Sequence, residues 1–353
     1  MSRLRAFLPR LTVIATIWTL LHVYVATRLP GPTMTRWVAA MLLAWLPFVG
    51  FAAGRSRFRV KRVLESAGYL AMGLSSLLMV SFAGADLLHL RNASPEVLGG
   101  VVLLTLVGLV QARRPRVVHV PVPIRDLPAD LAGLRIVQIS DLHVGSTIRR
   151  PFVEAVVDAV NALAPDLVAV TGDVADGFVL ELRDHVAPLA GLRAPLGSFF
   201  VTGNHEYYWD PRGWTQELER LGLSVLSNEH RLLTSGSGRL LLAGVTDLSA
   251  APDPYAAIAG APRSDVRVLL AHQPRSAYDA RAAGFDLQLS GHTHGGQFFP
   301  FNLLVRLFQP FVAGLHRLEE MWLYVSRGTG YWGPPLRLWA PSEITLIELT
   351  AAG

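Results

Sequence analysis

Gly291-His292-Thr293-His294-Gly295-Gly296-Gln297 places two imidazoles two residues apart, among small residues, directly after the apolar run Phe285–Ser290. If that run is a strand, the alternation of side chains sends His292 and His294 off its end on the same side. Neutral imidazole is the commonest metal ligand, and glycine lets backbone approach an ion closely. The H-x-H pair alone could equally be two surface loop histidines, so a metal reading depends on finding further ligands. The chain has no cysteine, which leaves His, Asp, Glu, Asn and backbone oxygen to supply them.

Those ligands stand at the ends of other apolar runs. The residue pattern predicts strands at Val117–Val122, Leu134–Ser140, Leu167–Thr171, Ser198–Thr202, Leu240–Val245, Val266–Ala271, Leu287–Ser290, Leu323–Val325 and Ile344–Leu349. Helices are expected at Arg150–Leu163, Pro211–Leu221 and Pro274–Ala283, the first because its apolar residues recur at three and four. Strand–helix alternation points to an α/β domain with a substantially parallel core. In such sheets ligands bind outside the carboxyl ends of the strands. Five of the expected strands end there in Asp141-Leu142-His143, Gly172-Asp173, Gly203-Asn204-His205-Glu206, His272 and the Gly291–Gln297 loop. Taken singly, Asp141 could be a cap, Asp173 and Asn204-His205 turn residues, and His272 a core histidine. Turn chemistry does not require all of them at successive strand ends, whereas a metal site does.

Nitrogen and oxygen donors without sulfur suit Zn, Fe or Mn better than calcium. The donors are too many for one ion, and two divalent ions sharing a carboxylate account for the number. A two-metal centre clamps the attacking and leaving oxygens of an in-line displacement and lowers the pKa of water. That suits hydrolysis of phosphate esters, whose transition state needs positioning and charge neutralisation.

The ordered blocks D-x-H, G-D, G-N-H-E, a lone H and G-H-T-H-G-G-Q resemble the calcineurin-like metallophosphoesterase family. Leu127-Pro128 to Asp141-Leu142-His143, Leu323-Tyr324-Val325-Ser326-Arg327-Gly328 and Pro341–Leu346 resemble its membrane-associated bacterial branch. The resemblance covers roughly Val117–Leu349. It implies a sandwich of two β-sheets flanked by helices, with Asp141, His143 and His294 on one metal and Asn204, His272 and His292 on a second. Asp173 would bridge the two. His205 would face the leaving oxygen as general acid or transition-state donor, a role suited to a group titrating near neutrality. Glu206 could orient a ligand histidine or be a plain surface residue. Arg327 could contact the substrate phosphate or be structurally paired. His119, His185, His230 and His316 match no motif and read as structural.

The first third of the chain is different. Residues 1–116, expected to form an all-α transmembrane region, carry 14 Lys and Arg against 3 Asp and Glu, a net of +11. The remainder, a 117–353 catalytic domain, carries 18 against 24, a net of −6, which argues against a nucleic-acid groove. Four apolar stretches, Leu11–Thr27, Trp37–Ala53, Ala67–Leu90 and Val97–Ala112, approach the roughly 17–25 residues that span a bilayer. If all four cross, alternate sides hold 11 and 3 basic residues, which puts both ends and the catalytic domain in the cytoplasm, at the inner membrane. His22 is open between functional and structural roles, while Asp86 and His89, near a span end, read as structural. The aromatic-rich stretch Phe298–Leu315, interrupted by Arg306, reads as an apolar lip touching membrane lipid. Anchor and lip favour a lipid-linked phosphoester or pyrophosphate substrate. The alternatives are a phosphatase of soluble nucleotides or phosphoproteins, and a membrane metal sensor without catalysis.

Overall fold

The computed structural model describes residues 2–54, 60–90 and 94–352. Arg55, Arg57, Arg59 and Arg91, part of the charge asymmetry above, lie outside them. The chain forms two units, one of residues 1–110 with Gly333–Leu338, the other of Gln111–Trp332 with Trp339–Gly353.

The first unit holds helices α1 (Ser2–Arg28), α2 (Thr33–Gly54), α3 (Lys61–Leu87) and α4 (Ser94–Arg113). By length and composition, three helical stretches among the described residues suffice to cross a membrane: Thr33–Ala53, Lys61–Leu87 and Ser94–Arg113. Small residues let α2 and α3 meet backbone to backbone. A Cβ on Gly50 would lie 2.7 Å from the Leu64 carbonyl, and one on Gly68 2.8 Å from that of Leu46. Close approach at single glycines on facing helices is a packing device of membrane bundles. His22 is buried, with Nε2 2.8 Å from Ser75 Oγ. Asp86 accepts from Tyr24 Oη at 2.6 Å and pairs with Arg28. Gly333–Leu338 packs here as well. A Cβ on Gly73 would meet Leu336 at 2.5 Å, and the Arg337 amide donates to the Gly108 carbonyl at 3.1 Å.

The second unit has two six-stranded sheets. The first runs in the order β1 (Arg116–Ile124), β12 (Glu343–Ala351), β2 (Arg135–Ile139), β3 (Leu167–Val170), β4 (Ser198–Phe200), β5 (Ser224–Val225). The second runs β10 (Gly314–Leu318), β11 (Met321–Val325), β9 (Leu287–Ser290), β8 (Val266–Leu270), β7 (Gly238–Gly244), β6 (Glu229–Ser235). The pairs β12–β2, β10–β11 and β6–β7 are antiparallel and the other pairs parallel. The strands that carry the polar ends thus lie in the parallel interior of each sheet.

Alternation explains the layering. In β3, Leu167 and Ala169 join one apolar cluster, shared with Leu240, Val268 and Leu289 of the other sheet. Val168 and Val170 join a second, with Val153, Val156, Val157 and Val160 of helix α5 (Arg150–Ala162). A sheet buried on both faces needs apolar residues on both, which is why the strand reads as an unbroken apolar run. The helix contributes a single stripe. Each such side chain, fully buried, stabilises the fold by about 1.5–3 kcal/mol. On the far side of the second sheet, Leu269, Leu323 and Val325 pack against Ala277 and Ala280. The result is two mixed sheets flanked by helices, the arrangement that the resemblance implies. Helices α6 (Val179–Val186), α7 (Asn204–Trp209) and α8 (Pro211–Arg220) complete the first sheet's side.

Candidate metal centre

The parallel strands deliver the polar residues to one place. The loop after β2 lies along the loop after β3: the amides of Asp141, His143 and Val144 donate to the carbonyls of Gly172, Asp173 and Val174 at 3.0, 3.1 and 2.9 Å. Across the other sheet, the Gly291 amide donates to the His272 carbonyl at 2.9 Å. Asp141, His143, Asp173, His292 and His294 all have positive φ, between 50° and 71°. Left-handed backbone is uncommon for non-glycine residues, and its concentration at one site marks geometry held by its surroundings rather than by local preference.

Two groups of donor atoms result. In one, Nε2 of His143 and Nε2 of His294 are 3.0 Å apart, with Asp141 Oδ1 3.3 Å from His294 and 3.9 Å from His143. In the other, Asn204 Oδ1 lies 3.2 Å from His272 Nε2 and 3.0 Å from His292 Nδ1, and these two nitrogens are 3.3 Å apart. Asp173 Oδ2 reaches both, 3.7 Å from His143 Nε2 and 3.2 Å from His272 Nε2. Donors bound at about 2.0–2.2 Å to one ion sit roughly 3.0–3.5 Å from each other, so these spacings fit metal ligation. All seven candidate ligands are brought together, and the chemistry of the set (two carboxylates, one amide oxygen, four imidazoles) fits divalent cations.

Charge in so buried a cluster has to be balanced. Burial works against the charged form of His272, but the adjacent Asp173 carboxylate overrides it and raises the imidazole to about 10. Burial and the nearby His272 charge push His292 down to about 4. Burial also opposes ionisation of Asp173, yet His272, His205 and His143 hold it at about 2.

Close packing fixes the carboxylates. A Cβ on Gly291 would lie 2.2 Å from Asp141 Oδ2, and one on Gly203 2.2 Å from Asp173 Oδ1. Asp141 also accepts from Ser140 Oγ at 2.6 Å and from the His292 amide at 3.1 Å. Glu206 is fully buried and accepts from the amides of Asp173, Val174 and Gly203 at 3.0, 2.8 and 2.7 Å. Its hydrogen bonds therefore go to the backbone carrying Asp173, where the sequence suggested a ligand histidine. Burial and the Asp173 charge raise its pKa to about 7, against the pull of those amides. Glu206→Gln should cost about 2–4 kcal/mol, because an NH2 group then faces a buried N–H and each lost partner costs about 1–3 kcal/mol. Denaturant titration measures it, and a change under about 0.5 kcal/mol, the scale of an ordinary surface substitution, would remove Glu206 from this role.

His205 stands beside both groups. Its Nδ1 is 2.5 Å from Asp176 Oδ1, the oxygen that also lies 3.1 Å from His143 Nδ1. Burial lowers the His205 pKa, but Asp176, Asp173 and Glu206 together raise it to about 9. Sequence reasoning missed Asp176; its signal was a second aspartate three residues after Asp173, in Gly172-Asp173-Val174-Ala175-Asp176. Buried Trp214 secures that loop by donating Nε1 to the Gly177 carbonyl at 2.9 Å. The His205 ring also touches Tyr208 and Trp332, with centroids at 5.0 and 5.8 Å, and both aromatics are partly open to solvent. Gln297 clamps Trp332, accepting from its amide at 3.0 Å and donating to its carbonyl at 2.9 Å.

Of the two roles open to Arg327, the geometry displays pairing: Nη1 donates to buried Glu343 at 3.0 Å, and Glu343 also accepts from Tyr324 Oη at 2.6 Å. His119 contacts Glu348, His230 the Ala257 carbonyl and His316 the Ala313 carbonyl.

Comparison with known proteins agrees with this geometry. A profile of the calcineurin-like phosphoesterase family matches residues 134–296. A "Transmembrane protein with metallophosphoesterase domain" from Danio rerio is 41% identical over 266 residues, covering 71% of this chain and 61% of that protein. An uncharacterized metallophosphoesterase of Helicobacter pylori is 38% identical over 244 residues, covering 67% of this chain and 64% of its own length. The chain thus spans less than two thirds of these relatives. It covers 86% of an uncharacterized metallophosphoesterase from Aquifex aeolicus, at 33% identity over 229 residues. With that coverage, and with the ordered motif blocks converging as described, the chain belongs to the calcineurin-like metallophosphoesterase family.

Proposed function

We propose that the chain is a membrane-anchored phosphohydrolase that cleaves phosphoester or pyrophosphate bonds with two divalent cations, Mn, Fe or Zn, held on either side of Asp173. One observation carries this reading: a single carboxylate oxygen, Asp173 Oδ2, lies within 3.7 Å of the nearest imidazole of each donor group. Asp141, His143 and His294 would hold one ion, and Asn204, His272 and His292 the other. When bound, the ions supply charge neutralisation at the phosphoryl oxygens and a water of lowered pKa. The chain's own groups do the rest. The left-handed backbone at five ligands keeps their side chains aimed before substrate arrives, so little reorganisation is needed. Asp176 holds the proton on His205 Nδ1, which leaves Nε2 to give its proton to the departing oxygen.

The substrate we propose is lipid-linked. The apolar helices support membrane attachment, and the exposed faces of Tyr208 and Trp332 beside His205 offer an apolar surface on the leaving-group side. We further propose that α1 crosses the inner membrane along with the three apolar stretches, leaving both termini and the catalytic unit in the cytoplasm, where the basic loops belong; with three crossings the catalytic unit would face outward. A reporter fused to the C-terminus that is active only in the periplasm would overturn that orientation.

The test is purification in detergent, metal counting per chain, and a screen of phosphate mono-, di- and pyrophosphoesters with and without lipid tails. Two ions and a higher kcat/KM on lipid-tailed substrates are expected. One ion, or equal turnover of short soluble esters, would overturn the dinuclear or the lipid part respectively.

A further inference from the structure

The stretch after the metal loop is fastened at its base and open at its tip. Phe298 is buried, a Cβ on Gly296 would lie 2.2 Å from Asn302 Cα, and Thr293 Oγ1 donates to the Val312 carbonyl at 2.5 Å. Between these fixings the short helix Phe301–Leu304 and the turn Val305–Leu307 expose Phe301, Leu303, Leu304, Leu307 and Phe308, the last two about three quarters free at 75% and 73%. Five large apolar side chains exposed within eight residues form a patch of the kind that marks an interaction site.

Its surroundings indicate the occupant. From Phe298 to Leu318 the sequence has no acidic residue and contains Arg306, although the rest of this unit is acidic; Arg317, at the end of that stretch, pairs with Glu320. Arg275 joins the same side, its Nη2 donating to the Phe308 carbonyl at 3.5 Å. Apolar side chains flanked by Arg306 and Arg275 suit the headgroup boundary of an anionic bilayer. Trp339, itself exposed, packs edge-on against Phe299 at the root of the patch, with centroids at 5.4 Å. Tryptophan is enriched at that boundary. Trp339 also follows directly on Gly333–Leu338, which pack among the helices of the first unit.

We infer that Phe301–Phe308 is a monotopic membrane contact, which dips its apolar side chains into an anionic lipid surface and holds the Gly291–Gln297 loop beside it. This rests on the membrane-anchored reading above but not on catalysis. Because the chain lacks cysteine, single probe sites can be introduced without removing any. An NBD fluorophore would be placed on Leu307→Cys, and separately on Phe308→Cys in case the first variant folds poorly. Leu42→Cys in α2 reports the span, and Asp184→Cys in α6, whose side chain is exposed, reports water. The full chain is reconstituted in vesicles of phosphatidylcholine with and without phosphatidylglycerol. At positions 307 and 308 the expected result is blue-shifted emission and quenching by nitroxide-labelled lipid, shallower than at 42, absent at 184, and stronger with phosphatidylglycerol. If 42 is quenched while 307 and 308 behave like 184, the contact is refuted and the anchor stands; the patch then serves a protein or a second copy. If 42 is not quenched either, the anchored reading falls with it. Equal quenching in both lipids refutes the anionic preference.

Discussion

Asp173→Ala is expected to lose both cations and to reduce kcat to below about 10⁻⁴ of the wild-type value, the scale seen when a catalytic unit is dismantled. Its Oδ2 is shared by the two donor groups, and Oδ1 accepts from the His205 amide at 2.8 Å. Removing it subtracts the one anion placed to offset repulsion between two dications. It also loosens the backbone of the proposed acid. No other ligand has that double position: Asp141 serves one group, and Asn204 the other without charge. Asp141→Ala should therefore lose one ion where Asp173→Ala loses two. Metal counting on purified protein, with circular dichroism to show that both variants are folded, separates these outcomes. Retention of two ions by folded Asp173→Ala, or turnover above a tenth of wild type, would end the bridging assignment.

What could be read in advance, and what could not, follows from where the information lies. Asp141, Asp173, Asn204, His272 and the 292/294 pair stand at the ends of apolar runs, so period and position along the chain located them without a structure. Asp176 was hidden because its one local signal, a second aspartate three residues after Asp173, reads equally as a turn residue. Its role comes from two imidazoles 33 and 29 positions away. Glu206 lies in a recognisable block, but its partners are backbone amides, which have no sequence signature. The left-handed conformation of five ligands is likewise invisible in residue types that do not require it. In the fold, long interior strands were legible from apolar content, whereas β5, two residues long, and β10, which carries His316 and Arg317, were not. Helix α7 escaped notice because its first turn, Asn204-His205-Glu206, is polar and buried for chemical rather than packing reasons. Gly333–Leu338 fell within the expected 117–353 domain, and only three-dimensional packing groups it with the helical unit.

His205→Ala should lower kcat by about 10²–10⁴-fold, the usual contribution of a positioned acid, while leaving the metal content unchanged. His205 Nε2 lies 3.9 Å from Asp173 Oδ2 and, with His143 and Asp173, forms a cluster that could itself hold an ion. The Asp176 contact at Nδ1, 2.5 Å for His205, is shared with His143 at 3.1 Å and does not separate the roles; what sets His205 apart is the bracing of its ring by Tyr208 and Trp332. A donor braced in this way can deliver a proton at a fixed place. A loss caused by missing proton transfer should depend on the leaving group, being largest for alkyl alcohols and smallest for an aryl group that departs as a stable anion. Asp176→Asn should reproduce that dependence in weaker form, about 10–100-fold, because an amide holds the ring with less charge. Measuring kcat over a series of leaving groups, with metal counted in the same samples, decides the matter. If ions are lost in proportion to activity, or the defect is equal for every leaving group, His205 is a ligand or a scaffold and the proton has another source.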